Sequence, residues 1–144
     1  MPTATRRFDF NNFFNGAKNM KDMKNNMKAV NSIDPDDYIA SENGVSADLQ
    51  GFDGAMLVFS VGTVTDGTHT PKMQESDDNA TWNDVASSDQ EGTLADLASD
   101  TNQQVGYLGV KQYIRAVLTV AGATSGAQVA ALIVLGKPHL SPVA

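Results

Sequence analysis

The chain has 144 residues, no cysteine and a formal net charge of −7 at pH 7. That length holds one domain with a real core and not two. The lack of cysteine excludes a disulfide scaffold, thiol catalysis and thiolate-ligated metals. Hydrophobic residues make up 41% of the chain, enough for a globular fold. No apolar run approaches the ~18–20 residues that span a bilayer; the longest, Val129 to Leu135, has strand length. Arg6 and Arg7 lead into Phe8 and polar residues rather than an apolar stretch, so a secretory signal is not expected. A soluble protein without a membrane address is the expectation.

Charge is sorted along the chain. Arg6, Arg7, Lys18, Lys21, Lys24 and Lys28 are six of the ten basic residues, opposed over the first 28 positions only by Asp9 and Asp22. The head segment therefore carries +4 and the remainder −11. Four of the six Phe (Phe8, Phe10, Phe13, Phe14) and four of the six Met lie in the same head segment. A basic, aromatic arm on an acidic body suits attachment to a protein surface. The acidic body would be repelled by phosphates, so no direct nucleic-acid partner is expected.

In chain order, residues 1–12 read as extended or irregular. Phe13, Ala17, Met20, Met23, Met27 and Val30 recur at steps of three and four, which predicts an amphipathic helix over about 13–30. Lys21, Lys24 and Lys28 repeat on an adjacent face. Its Asn and Gly content makes this helix marginal alone, and Asp34-Pro35 is expected to end it. Residues 1–50 are thus expected to form an N-terminal arm and 51–144 a body, with Asn43-Gly44 a turn within the transition.

The period then changes to two. Ala55–Val61, Thr70–Glu75, Thr81–Val85, Val105–Leu108, Tyr113–Val120 and Gln128–Leu135 read as strands, with Asp66-Gly67 as a hairpin turn. Tyr113–Val120 and Gln128–Leu135 are partly apolar on both sides, as central strands are. Residues 87–103 read as a polar excursion, and the tail with Pro138 and Pro142 is expected to leave the sheet. The fold class is mainly β: an antiparallel sandwich or barrel-like body with an extended arm containing a short helix.

The residue types that carry catalysis are sparse. His69 and His139 are expected to be exposed loop histidines. Glu75, Asp77, Asp78 and Asp84 cluster around a turn, where Asp and Asn satisfy local backbone donors. Asp77-Asp78-Asn79 lacks EF-hand spacing, and Gly62, Gly67, Gly122 and Gly126 stand in hairpin contexts rather than a phosphate loop. No cofactor, no metal and no catalytic group are expected. Trp82 reads as a half-buried core or interface aromatic, with a sugar platform as the alternative, and Arg115 as a strand residue paired with a carboxylate. Both are candidate interface residues.

The stretches FSVGTVTDGTHTPKMQESDDNATWNDV (59–85), VGYLGVKQYIRAVLTV (105–120) and AALIVLGKPHLSPV (130–143) resemble small structural proteins of tailed bacteriophages, of the capsid decoration (cement) type. The resemblance covers roughly the last 90 residues and does not include the arm. It implies a non-enzymatic virion protein on the capsid surface, present in the host cytoplasm during assembly, with the major capsid protein and copies of itself (dimer or trimer) as partners. The arm would then dock through Arg6, Arg7, Phe8, Phe10, Phe13, Phe14, Lys18, Met20, Lys21, Met23, Lys24, Met27 and Lys28. A head-to-tail neck, tail or fibre component and a carbohydrate-binding module are the alternatives.

Overall fold

The computed structural model describes residues 21–143. One helical turn, α1 (Met23–Asn26), is followed by ten strands: β1 (Lys28–Tyr38), β2 (Glu42–Asn43), β3 (Ala47–Asp48), β4 (Phe52–Val64), β5 (Thr68–Ser76), β6 (Asn83–Asp84), β7 (Gln90–Glu91), β8 (Asn102–Tyr107), β9 (Tyr113–Ala121) and β10 (Ala127–Pro138). A five-stranded sheet runs β1-β10-β4-β8-β7; the other runs β2-β9-β5-β6, with β3 also on β9. Every pairing is antiparallel. The fold is the mainly β sandwich that the two-residue period predicts, and β9 and β10 are both interior strands of their sheets.

Alternation explains which side chains meet. Leu57, Phe59 and Val61 of β4 and Val129, Ala131, Ile133 and Leu135 of β10 point inward and are buried. Met73 of β5 and Ile114, Ala116 and Leu118 of β9 face them from the other sheet. Each large side chain sealed there contributes about 1.5–3 kcal/mol.

The arm boundary moves. Residues 13–20 of the expected helix lie outside the described residues. Of the rest of that expected helix only Met23–Asn26 is α-helical, with Asp22 accepting from the Asn25 amide as N-cap, and Met27 is already extended. Residues 28–38 pair with β10, from Lys28 opposite Leu135 to Tyr38 opposite Ala127. Residues expected in the arm up to position 50 thus supply β1, β2 and β3. The physical reason is that β10 needs a hydrogen-bonded neighbour on each side, and Val30 and Ile33 fill that role as β-branched strand residues. Asp34-Pro35 ends no helix: it falls in a register irregularity between Ile33 and Asp36 on an edge strand, where a missing donor costs little. Likewise β10 continues through Gly136 and Lys137 to Pro138, opposite Phe52, before the tail departs.

Ser32 ties the sheets together. Its Oγ donates to Val45 O (2.8 Å) and accepts from Ala116 N (2.9 Å). Ser32 O accepts from Val45 N, and Gly44 N donates to Ala116 O. Gly44 is squeezed between these groups, so it serves close approach rather than a turn. A Cβ there would meet Ser32 Oγ and would lie 2.7 Å from Ala116 O and 2.8 Å from Ser32 O. Gly44→Ala is expected to destabilise the protein by about 1–3 kcal/mol. Gly136→Ala, where nothing lies within 4 Å, is expected to change stability by less than about 1 kcal/mol. Urea unfolding of the two variants beside the parent checks the contrast.

Candidate functional site

Two outer surfaces and the turn carboxylates at the two ends of β5 hold the residues of interest. The outer surface of the β2-β9-β5-β6 sheet carries Trp82 and Arg115, which the fold brings together. Trp82 immediately precedes the two-residue β6, shorter than the expected Thr81–Val85 strand. The Arg115 guanidinium carbon lies 4.4 Å from the indole centroid. Its Nε and Nη2 donate to Gln74 Oε1 at 3.0 and 2.7 Å. Gln74 Nε2 donates onward to Asp84 Oδ1 (2.8 Å), which also pairs with Lys72 Nζ (3.0 Å). The hydrogen bond from Gln74, with the Lys72 charge, holds the Asp84 carboxyl below its ordinary value, and burial pulls the Arg115 guanidinium down.

The expected carboxylate partner of Arg115 is therefore an amide, with Asp84 one link further away. A neutral acceptor in direct contact leaves the guanidinium charge uncancelled and oriented by the ring. Trp82 is half-buried, and the cation occupies one face of its indole, so the ring is not an open sugar platform.

The turn carboxylates are spent on backbone. Asp78 Oδ1 accepts from Ala80 N (2.9 Å), Thr81 N (2.7 Å) and Ser76 Oγ (2.9 Å), around Asn79 at φ 58. These donors, Thr81 and Ala80 foremost, pull its pKa down from the ordinary 3.8 to about 2. Asp66 gathers the Thr124, Ser125 and Gly126 amides of the β9–β10 loop, chiefly Gly126 at 2.7 Å, and is also held low. Glu75 accepts from Tyr107 OH (2.6 Å) across the two sheets, and burial together with that bond pushes the phenol pKa up. Asp77 pairs with Lys111 at 2.6 Å. No group of three or more metal-ligating side chains forms among the described residues.

His69 corrects an expectation. It is 1% exposed, on the inward side of β5 with Pro71 and Met73, and its Nε2 lies 3.0 Å from Tyr38 O. The excursion after β7 pairs with its backbone, Leu97 N donating to His69 O at 2.8 Å. Counting back in twos from Met73 along β5 reaches His69, and that signal was present in the sequence. His139 is exposed, beside Asp53 at 2.7 Å.

Of the expected arm contacts, Arg6, Arg7, Phe8, Phe10, Phe13, Phe14, Lys18 and Met20 lie outside the described residues. Lys21, Met23, Lys24, Met27 and Lys28 are all exposed, Met23 at 55% and Met27 at 40%. They stand at the corner where the chain joins edge strand β1.

The second surface was not singled out from the sequence. On the outer side of the five-stranded sheet, Ala29, Val134, Met56 and Gly106 form one cross-strand row, and Asn31, Leu132, Val58 and Gln104 the next. Ala130 continues the band beside Ser60. At its far end a groove of ≈ 370 Å³ is lined by Ala130, Gly62, Ser60 and Gln128, with Asp36 and Asp37 of β1 along one side. The apolar character of β4 and β10 on both sides signals a central strand. In a two-layer sandwich it also leaves an apolar outer face, and no described element covers this one.

No protein-family model and no curated protein sequence matches the chain. Among solved structures the chain is similar to one described as the structure of infectious bursal disease virus Gx strain, with a TM-score of 0.38 and 13% identity. The match covers 78% of this chain and 32% of that one, so this chain spans about a third of that chain's length.

Two measurements check the site chemistry. Asp78 has a depressed folded-state pKa, so its stabilisation is complete well above the ordinary 3.8 and is lost as pH falls through about 2. The stability gap between the parent and Asp78→Ala is therefore expected to be constant at neutral pH and to shrink across that acid window in pH-dependent denaturation. A double-mutant cycle on Trp82→Leu and Arg115→Ala is expected to return a coupling of about 0.5–1 kcal/mol.

Proposed function

We propose that the protein is a non-enzymatic structural component of a virion, a capsid decoration or cement protein that fastens onto the outer shell. The observation that carries this reading is the division of labour between segments. The head segment concentrates positive charge and Phe, while the polar side chains of the sandwich are committed to their own turns and sheet-to-sheet links. The stretches that resemble tailed-phage decoration proteins supply β4, β5, β8, β9 and β10, the frame of that sandwich.

In this reading the sandwich is a rigid body and the segment before β1 is the fastener. Its Phe side chains are the apolar anchors and its Arg and Lys side chains the steering charges. The partners are the major capsid protein and neighbouring copies of this chain, with Trp82 and Arg115 as a second contact between bodies. A protein that binds only the assembled shell stabilises it by mass action, about 2.7 kcal/mol when free protein stands at 100 times its Kd. Residues 28–38 form β1, so the truncation that spares the sandwich ends at residue 20. Deleting residues 1–20 is expected to leave a folded body that no longer co-sediments with shells. Undiminished co-sedimentation overturns the fastener role. A copy number per particle of about a dozen instead of hundreds would favour a neck component.

A further inference from the structure

The apolar outer face of the five-stranded sheet has a pattern of its own. Val134 and Met56 lie in the row next to Ala29, close to where α1 hands the chain to β1. Leu132 and Val58 follow, then Ala130, and the groove beside Asp36 and Asp37 closes the band at the opposite end. Leu132 is 38% exposed on an interior strand. Such a band calls for a cover. A second copy laid face to face is a poor cover, because it would bring its own acidic groove and a body of −11 with it.

The sequence immediately before the described residues has the opposite character and the matching order. Reading back from Lys21 there are Met20 and Lys18, then Phe14 and Phe13, then Phe10 and Phe8 on either side of Asp9, and beyond them Arg7 and Arg6. The four Phe stand in the middle and the arginine pair comes last. On the sheet the apolar band comes first and the two aspartates last. Reach permits the match. Lys28 sits opposite Leu135 and Asp37 opposite Gln128, seven residues of β10 apart, or about 23 Å. The fourteen Cα-to-Cα steps from Lys21 back to Arg7 extend at most about 50 Å. Being tied to the same chain, the segment meets this face at an effective concentration in the millimolar range.

We propose that the outer face of the five-stranded sheet is a docking surface for this chain's own residues 6–20, with the Phe side chains over Val134, Met56, Leu132 and Val58 and the Arg6–Arg7 pair at Asp36 and Asp37. The inference does not depend on the virion reading. It gives the free protein a resting place for the same segment that the virion reading assigns to the shell. An outside partner must then take the segment from the sheet, and its apparent affinity falls by the fraction of molecules already released.

The test is paramagnetic relaxation in the full-length protein. The chain has no cysteine, so Thr5→Cys carries the only nitroxide. With label and nitrogen-15 in the same dilute chain, the Ser60, Ala130 and Leu132 amides are expected to lose intensity and to recover it when the nitroxide is reduced. Molar salt or Asp36→Lys/Asp37→Lys is expected to weaken that loss, because an exposed ion pair is screened. A second sample mixes nitroxide-bearing unlabelled chains with nitrogen-15 chains that lack the nitroxide, and it is expected to show no loss. Loss at another surface, no loss anywhere, or loss only in the mixed sample overturns the proposal. The last result would transfer the contact to a neighbouring copy. Shell binding enters none of these readouts, so they stand whatever the truncation does to co-sedimentation.

Discussion

Strand β10 must be hydrogen-bonded along both edges, and most of the architecture answers that demand. It presents Val129, Ala131, Ile133 and Leu135 to the core. A strand so placed cannot leave a row of amides and carbonyls without partners. β4 covers one edge over its length and β1 covers the other. Supplying β1 draws residues 28–38 out of the expected arm. It also carries Ser32 into position to bond Ala116 and Val45, so the same strand that completes one sheet clamps it to the second. Gly44 is the local consequence, a residue with no side chain where three backbone and hydroxyl groups converge.

Much of the sandwich was legible because strand period and burial coincide. β4, β5, β9 and β10 all lie where alternation places them, and the Asp66-Gly67 turn joins β4 to β5 as the dipeptide suggests. The failures have physical causes. Met20, Met23, Met27 and Val30 keep helical spacing, yet pairing with β10 overrides the weak propensity of an Asn-rich stretch after one turn. Pro35 and Pro138 read as breaks, but an edge irregularity and a strand's last residue are the places where a sheet tolerates proline. His69 looked like a loop residue because Gly, Thr and Pro surround it. Its burial follows from the two-residue period it shares with Pro71 and Met73 on the inward side of β5, a signal those neighbours obscured.

The candidate interface residues were partly legible for a similar reason. Trp82 and Arg115 were recognisable by type, and their contact arises because β5 lies between β6 and β9. Gln74, the residue that connects them to Asp84 and Lys72, carries no signal of its own. Its amide presents one oxygen to the guanidinium and one donor to the carboxylate, a relay that orders opposite charges without joining them. The turn carboxylates are the reverse case. Their Asp-rich spelling suggests a ligand site, but Asp66 and Asp78 are each occupied by several amides and hold loops in shape.

The segregation of charge along the chain acquires a structural meaning from these placements. A body of −11 repels its own copies and any other acidic surface, so its contacts need either a basic element or locally shielded charge. Trp82 with Arg115 offers a local cation on an aromatic face within the acidic sandwich. The segment ahead of β1 offers the basic kind, and the apolar band that ends at Asp36 and Asp37 is its nearest complement. The band begins at the corner where β1 starts, beside Lys28. Transfer of the segment to another surface would expose Leu132, Val134, Met56 and Val58 together, and the uncovered face would then favour whatever apolar surface stands beside it in an assembly. In the proposed arrangement, release of the segment and exposure of that face are one event.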